Sequence, residues 1–259
     1  MDLQLAGRRA LVTGGSRGIG LAIGRALARE GAAVALVARD ADTVAERAAA
    51  LAAETGVLVA GIAADTGDDD SVAAMAAEAE RLLGGVDILV NNAAPASTGS
   101  FPEDALEDQI NVKVRGYLRT VRALAPGMTE RGWGRIINIA GLAARQSGSV
   151  VGSVRNVAVA AMSKNLADEL GARGVNVTVV HPGMTRTETQ QAAIERRAAD
   201  RGVGTEQVER ELAASISIGR IVEADEVASV VAFLASPLSV AMTGDPVIVS
   251  GGVRGAIHY

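Results

Sequence analysis

The stretch Leu11-Val12-Thr13-Gly14-Gly15-Ser16-Arg17-Gly18-Ile19-Gly20 decides how the rest of the chain is read, together with Leu21-Ala22-Ile23-Gly24-Arg25-Ala26-Leu27-Ala28 behind it. Ahead of the glycines, Arg9-Ala10-Leu11-Val12 is a short apolar run of the kind a buried parallel strand needs. Behind them, apolar residues recur at every third or fourth position, as on the packed face of a helix. The order is therefore strand, glycine turn, helix. Gly14, Gly18 and Gly20 let the backbone turn tightly and approach a ligand, and the helix that opens there offers unpaired N–H groups and its positive dipole end to an anion. A dinucleotide pyrophosphate suits that chemistry. A glycine triplet alone is a common accident in a chain with 30 glycines. Here Gly31-Ala32-Ala33 and a second apolar run, Val34-Ala35-Leu36-Val37, complete a βαβ start.

Composition narrows the remaining possibilities. A chain of 259 residues buries a large core, and no Pro- or Ser-rich linker divides it, so a single domain over 1–259 is expected. The absence of cysteine excludes disulfides, thiol catalysis and cysteine-held metals. A net charge of -5 with scattered basic residues gives no footprint for nucleic acid. No apolar run reaches the roughly 18 residues of a membrane span, and no signal-peptide core opens the sequence. A cytoplasmic protein without membrane or nucleic-acid partners is the expectation.

Strand and helix patterns alternate along the rest of the chain. Helices are expected over about 41–54, with Asp40 and Asp42 as caps, and over 71–83, with Ser71 as cap. Two longer ones are expected over about 104–128 and 153–172, and another over 224–235. Strands are expected at 57–63, 86–90, 135–139, 175–180 and 246–249, with a loop at 91–99 and an irregular insertion of about thirty residues before the last helix. Repeated βα units of this kind predict an α/β protein with a Rossmann-type, doubly wound parallel sheet of about seven strands and helices on both faces. Ligands of such sheets bind at the carboxyl ends of the strands, which lines up the glycine turn, Arg39, Asp65, Asn91 and Pro182-Gly183 along one rim.

The residue closing the second strand selects the dinucleotide. A carboxylate there accepts from a free ribose hydroxyl, whereas here Ala38-Arg39 brings a cation, and Arg17 brings another from inside the glycine turn. Two guanidiniums favour the 2′-phosphate of NADP(H) over NAD(H).

These motifs together resemble the short-chain dehydrogenase/reductase family over nearly the whole chain. Thr13-Gly14-Gly15-Ser16-Arg17-Gly18-Ile19-Gly20 is similar to the family's cofactor loop, Asp65-Thr66 to its adenine contact, and Asn91-Asn92-Ala93-Ala94 to its Asn-Asn-Ala-Gly stretch. Pro182-Gly183-Met184-Thr185-Arg186-Thr187 resembles the segment that holds the nicotinamide carboxamide, and Met242-Thr243-Gly244 through Ser250-Gly251-Gly252 the C-terminal strand. The resemblance implies cofactor contacts at Gly14, Ser16, Arg17, Gly18, Ile19, Gly20, Arg39, Asp65, Thr66, Asn91, Ala93, Pro182, Gly183, Thr185 and Thr187. It also implies hydride transfer between nicotinamide and a carbonyl or alcohol carbon, with a tyrosine moving the proton and a lysine, a serine and an asparagine completing the site.

The catalytic half departs from that pattern. Alignment through Met162-Ser163-Lys164-Asn165-Leu166-Ala167 puts the family's tyrosine at Gly152, its lysine at Asn156 and its serine at Gly141. Lys164 lies two helical turns too late to substitute. For the asparagine position, Asn111 competes with Lys113, and the spacing to Gly116 and Gly134 favours Lys113. An amine and an amide have then exchanged places between two helices. Without a phenol the reaction lacks help worth roughly 10²–10⁴-fold, so Lys113 is the candidate acid or base and Asn156 the candidate oxyanion donor. Ser147, Ser149 and Ser153 are weaker candidates, and His181 reads as structural before catalytic. No metal-ligand spacing occurs. Three readings stay open: an NADP(H)-dependent oxidoreductase with a rebuilt proton relay acting on a small carbonyl or alcohol, a non-redox lyase, isomerase or cyclase on the same scaffold, and a nucleotide-binding protein without catalysis. Residues 188–217 resemble the family's substrate lid, and the two long helices resemble those that pair its subunits, which implies a homodimer or homotetramer.

Overall fold

The computed structural model describes residues 1–94 and 103–254. The strands are β1 (Arg9–Thr13), β2 (Ala33–Ala38), β3 (Val59–Ala63), β4 (Ile88–Asn91), β5 (Gly134–Ile139), β6 (Val175–Pro182), β7 (Thr185–Arg186), β8 (Val222–Glu223) and β9 (Pro246–Val249). Seven of them form one sheet in the order β3-β2-β1-β4-β5-β6-β9, and every neighbouring pair is parallel. The order reverses between β1 and β4, so the crevice at the carboxyl end of this sheet opens between Thr13 and Asn91.

Period-two alternation sends successive strand residues to opposite layers. Val12, Leu36, Val90 and Ile137 pack with Ile23 and Leu27 of α1 (Gly18–Arg29), Leu51 of α2 (Ala41–Thr55) and Val231 of α9 (Ala224–Ala235). Leu11, Val37, Leu89 and Ile136 face Met75 of α3 (Asp69–Leu83), Leu124 and Met128 of α5 (Gly116–Glu130) and Leu170 of α6 (Val150–Leu170). The remaining helices are α4 (Glu103–Gln109), α7 (Glu188–Arg201) and α8 (Thr205–Ala213).

Several boundaries differ from the sequence expectation. The helix expected over about 104–128 is interrupted by a wide π turn at Ile110–Arg115, and α5 runs on to Glu130. Ser71 is not the cap of α3. Asp68 starts that helix by accepting from the Ser71 amide at 2.7 Å, and the Ser71 hydroxyl accepts from the Asp65 amide instead. Asp40 caps α2 as expected. The helix expected from 153 begins at Val150, because Ser149 caps it three residues earlier. The insertion is a helical hairpin, α7 and α8, with its own small core of Ile194, Ala198, Val208 and Ile221. The loop expected at 91–99 falls partly outside the described residues.

Candidate active site

The glycine turn is built by positions that no other residue fits. Gly14 and Gly18 have φ of +64° and +54°. A Cβ on Gly20 would lie 2.1 Å from the Gly14 carbonyl oxygen, so α1 starts directly over the turn. Two residues that sequence reasoning did not single out fasten the turn to the end of β4. Thr13 Oγ1 accepts from the Asn92 and Ala93 amides at 2.9 and 3.1 Å, and Asn92 Nδ2 donates to the carbonyls of Thr13 and Gly14. Their place beside a glycine motif was the available signal. Gly18 N–H, in the first turn of α1, donates to Glu188 Oε2 at 3.1 Å. A carboxylate of the chain thus already sits as an anion on the amide that a pyrophosphate would use, which shows that the turn fits such a group.

Beyond the turn, Arg17 and Arg39 are both exposed and form no ion pair among the described residues. Asp65, at the end of β3, accepts from the Gly67 amide at 2.8 Å in a local turn. Thr66 is buried under α5, where a Cβ on Gly116 would lie 2.8 Å from its carbonyl oxygen. Asn91 does not turn its side chain to the rim. Its Nδ2 donates to Asn138 Oδ1 at 3.0 Å, its Oδ1 accepts from Thr120 Oγ1 at 2.6 Å, and Asn138 Nδ2 donates to Ser163 Oγ at 2.9 Å. The side chain of Asn91 is therefore committed to this buried chain of polar groups, which removes it as a direct side-chain contact to a cofactor.

Pro182 ends β6, and Gly183 packs so closely on β9 that a Cβ would meet Ser250 Cα at 2.8 Å. Thr185 Oγ1 donates to the Gly183 carbonyl, and Thr187 caps α7 while its methyl group rests on Gly18. Arg186 ties the α7–α8 hairpin to β8 through Glu209 and Glu223 at 2.8 and 3.1 Å.

Lys113 and Asn156 come together around the backbone that leaves β5. The π turn carries Lys113 inward, where Nζ donates to the Ala140 carbonyl at 2.7 Å and the residue is 3% exposed. Asn111, two positions earlier, faces the other way and donates to the Gly67 carbonyl. Asn156 Nδ2 lies 3.0 Å from where a Cβ on Gly141 would stand, and its Oδ1 is buried without a hydrogen-bond partner. Burial, reinforced by the Arg155 guanidinium, holds the Lys113 ammonium well below the usual lysine range. Tyr117, one turn after Lys113, donates to the Ile139 carbonyl at 2.9 Å; burial raises its pKa, which disqualifies it as a ready proton donor. Sequence reasoning missed Arg155 and Tyr117 because only the packed helices bring them beside Lys113.

Three of the weaker candidates have structural partners, and Ser147 is exposed. Ser149 accepts from the Gly152 amide as a cap, Ser153 donates to the Gln146 carbonyl, and buried His181 contacts Gly141 through Nδ1. Lys164 is exposed and paired with Asp168 at 2.6 Å. Among the described residues no group of three or more His, Cys, Asp or Glu is placed to hold a metal, and no helix is long and apolar enough to cross a membrane. A groove of about 490 Å³ lies away from this chemistry, between α5 and α6, lined by residues including Leu118, Val121, Ala125, Leu166 and Leu170.

A glycine turn at the switch point of a doubly wound sheet, facing a Pro-Gly segment, defines a class of nucleotide-binding oxidoreductase folds. A family profile described as enoyl-(acyl carrier protein) reductase matches residues 14–254. The 3-oxoacyl-(acyl-carrier-protein) reductase FabG of Pseudomonas aeruginosa is 36% identical over 265 residues, covering 97% of this chain and 99% of the relative. The L-sorbose reductase of Gluconobacter frateurii, solved with NADPH and L-sorbose, superposes with a TM-score of 0.93 at 30% identity over 99% of this chain and 100% of that one. An NAD⁺-bound xylitol dehydrogenase superposes with a TM-score of 0.87 at 25% identity over 96% of this chain and 100% of that one. The chain belongs to the short-chain dehydrogenase/reductase family.

Proposed function

We propose that this chain is an NADP(H)-dependent oxidoreductase of small carbonyl or alcohol compounds in which Lys113 performs the proton step. The observation that carries the reading is the buried amine of Lys113 at the end of β5, on the same sheet edge as the glycine turn. Gly14, Ser16, Arg17, Gly18, Ile19 and Gly20 would hold the pyrophosphate and Arg39 with Arg17 the 2′-phosphate. Asp65, Thr66 and Ala93 would hold the adenine side, and Pro182, Gly183, Thr185 and Thr187 the nicotinamide side. When bound, NADP(H) supplies or accepts the hydride.

Lys113 is suited to exchange a proton with a substrate oxygen because burial brings its basicity toward neutrality, where a general acid or base works best. Its neutral form keeps one N–H on the Ala140 carbonyl and frees the lone pair. Asn156 donates from Nδ2 to the same oxygen as charge develops on it, which is worth several kcal/mol in a dry pocket. Neighbouring side chains close over Gly152 and Gly141: Ser149 Oγ lies 2.9 Å from where a Cβ on Gly152 would stand and Asn156 Nδ2 3.0 Å from one on Gly141. The relatives named above are reductases and dehydrogenases, which supports redox chemistry over a lyase, isomerase or purely structural role. The groove between α5 and α6 and the exposed Val150, Val154 and Val157 on α6 support self-association into a homodimer or homotetramer through these helices.

The test is absorbance of NADPH during turnover of a carbonyl panel by wild type and by Lys113→Met. Loss of at least about 10²-fold in kcat with NADPH binding intact is expected. Undiminished turnover by the variant removes Lys113 from the mechanism, and product formed with no change in NADPH transfers the protein to non-redox chemistry.

A further inference from the structure

Arg155, on α6 next to Asn156, is a partly buried charge whose Nε and Nη1 are enclosed with no hydrogen-bond partner among the described residues. Among the described residues the groups that reach it electrostatically are Lys113 and Tyr117, neither of them an acid that is ionised at neutral pH. Other enclosed arginines among the described residues have partners: Arg9 pairs with Asp87, Arg119 with Asp69 and Arg186 with Glu209 and Glu223, while buried Arg135 donates to the Gly134 and Ser236 carbonyls and lies over the Trp133 ring. A guanidinium stays protonated in proteins, so it cannot escape the cost of burial by losing its charge as an amine can. Buried donors left unmade and a buried charge left unpaired are each strongly unfavourable, and persist where a ligand completes them.

We propose that Arg155 is the anion-binding residue of the substrate pocket, so that the substrate carries a carboxylate beside its carbonyl or alcohol group. The assignment rests on the catalytic reading above for its location, since Arg155 directly precedes Asn156 on α6 and acts electrostatically on Lys113. A planar fork of N–H donors matches a carboxylate in geometry. It also matches in charge: the guanidinium offers one positive charge, which a singly charged carboxylate balances and a doubly charged phosphate ester exceeds. Lys113 is then left to the proton, and Arg155 to the anchor that fixes which carbon is presented.

The experiment uses the full chain, wild type against Arg155→Met and Arg155→Lys, and reads thermal midpoints in sodium formate, inorganic phosphate and sodium chloride at matched ionic strength. Methionine keeps the apolar stem of the side chain and removes its charge. The expected result has three parts. Arg155→Met melts higher than wild type in chloride, by about 2–4 °C for each kcal/mol of relieved charge burial. Formate raises the midpoint of wild type saturably and leaves Arg155→Met unmoved. Arg155→Lys responds to formate more weakly than wild type.

A lower midpoint of Arg155→Met in chloride, with no formate response in wild type, overturns the proposal and makes Arg155 a packing residue. Equal formate stabilisation of all three proteins places the anion elsewhere and overturns it too. Phosphate saturating wild type at lower concentration than formate overturns the carboxylate assignment. NADP⁺ titrations of the same samples keep the two readings apart. Absence of NADP⁺ binding to wild type defeats the cofactor reading whatever formate does, while intact NADP⁺ binding with a failed formate result defeats only the role of Arg155.

Discussion

Replacing Glu188 by glutamine is expected to tighten the binding of NADPH. The Glu188 carboxylate occupies the Gly18 N–H at 3.1 Å, at the positive end of α1, where the pyrophosphate is proposed to lie. An anion at an exposed helix N-terminus gains about 0.3–1 kcal/mol, and a cofactor that displaces Glu188 forfeits that gain. A carboxylate left within about 4 Å of a phosphate adds roughly 1 kcal/mol of repulsion in a watery cleft. Together these reach about 1–2 kcal/mol, or roughly a 5–30-fold lower Kd for Glu188→Gln, since about 1.4 kcal/mol is tenfold. Glutamine still accepts from Gly18 through its neutral Oε1, so the start of α7 keeps its place. The assay is a fluorescence titration of both proteins with NADPH and NADH at low salt. The gain should appear for both cofactors, because they share the pyrophosphate, and should shrink as salt screens the repulsion. An unchanged or weaker Kd in Glu188→Gln, with its thermal midpoint preserved, refutes the competition between carboxylate and phosphate.

Arg39→Asp should weaken NADPH by about 10–100-fold, the worth of a hydrogen bond to a charged group, while NADH changes by less than about threefold; equal losses in paired titrations refute the 2′-phosphate assignment. Lys113 should also leave a mark on stability. Between its depressed folded pKa and the ordinary 10.5, the unfolded chain binds a proton there that the folded chain does not, so stability rises with pH across that window and is lost as pH falls through the folded value. Urea midpoints followed against pH should show that slope in wild type and a flatter one in Lys113→Met, and parallel profiles exclude a neutral buried amine.

The frame of this molecule was readable because each signal was local. Leu11 and Val12 serve opposite layers by simple alternation, and Asp40 stands three residues before Thr43, whose amide it accepts as the cap, while Asp42 falls inside the first turn. Ser71 misled because both a serine and an aspartate preceded the same helix, and the choice fell to the Ser71 hydroxyl's bond with Asp65. The α7–α8 hairpin was obscured because only a few apolar side chains, Ile194, Ala198 and Val208 among them, mark its buried face. At the site, spacing alone pointed to Lys113 over Asn111, yet its burial depends on a π turn that no periodicity announces. The meeting of Glu188 with Gly18 spans 170 positions and leaves no trace in either neighbourhood. Arg155 was invisible for a different reason: an arginine beside the aligned lysine position is ordinary until its neighbours among the described residues turn out to carry no acid.

The hydrogen-bonded file Thr120–Asn91–Asn138–Ser163 joins α5, β4, β5 and α6 through side chains alone, with Asn91 and Asn138 directly opposite one another in the strand ladder. Sliding β4 past β5 by one residue would turn one amide into the opposite apolar layer and strand its neighbours, so the file works as a key that admits a single alignment. Lys113 leads into one of the keyed helices and Asn156 stands on the other. The packing around both residues is consequently braced against spreading, and on the proposed reading a compound taken between them must adapt to a fixed gap.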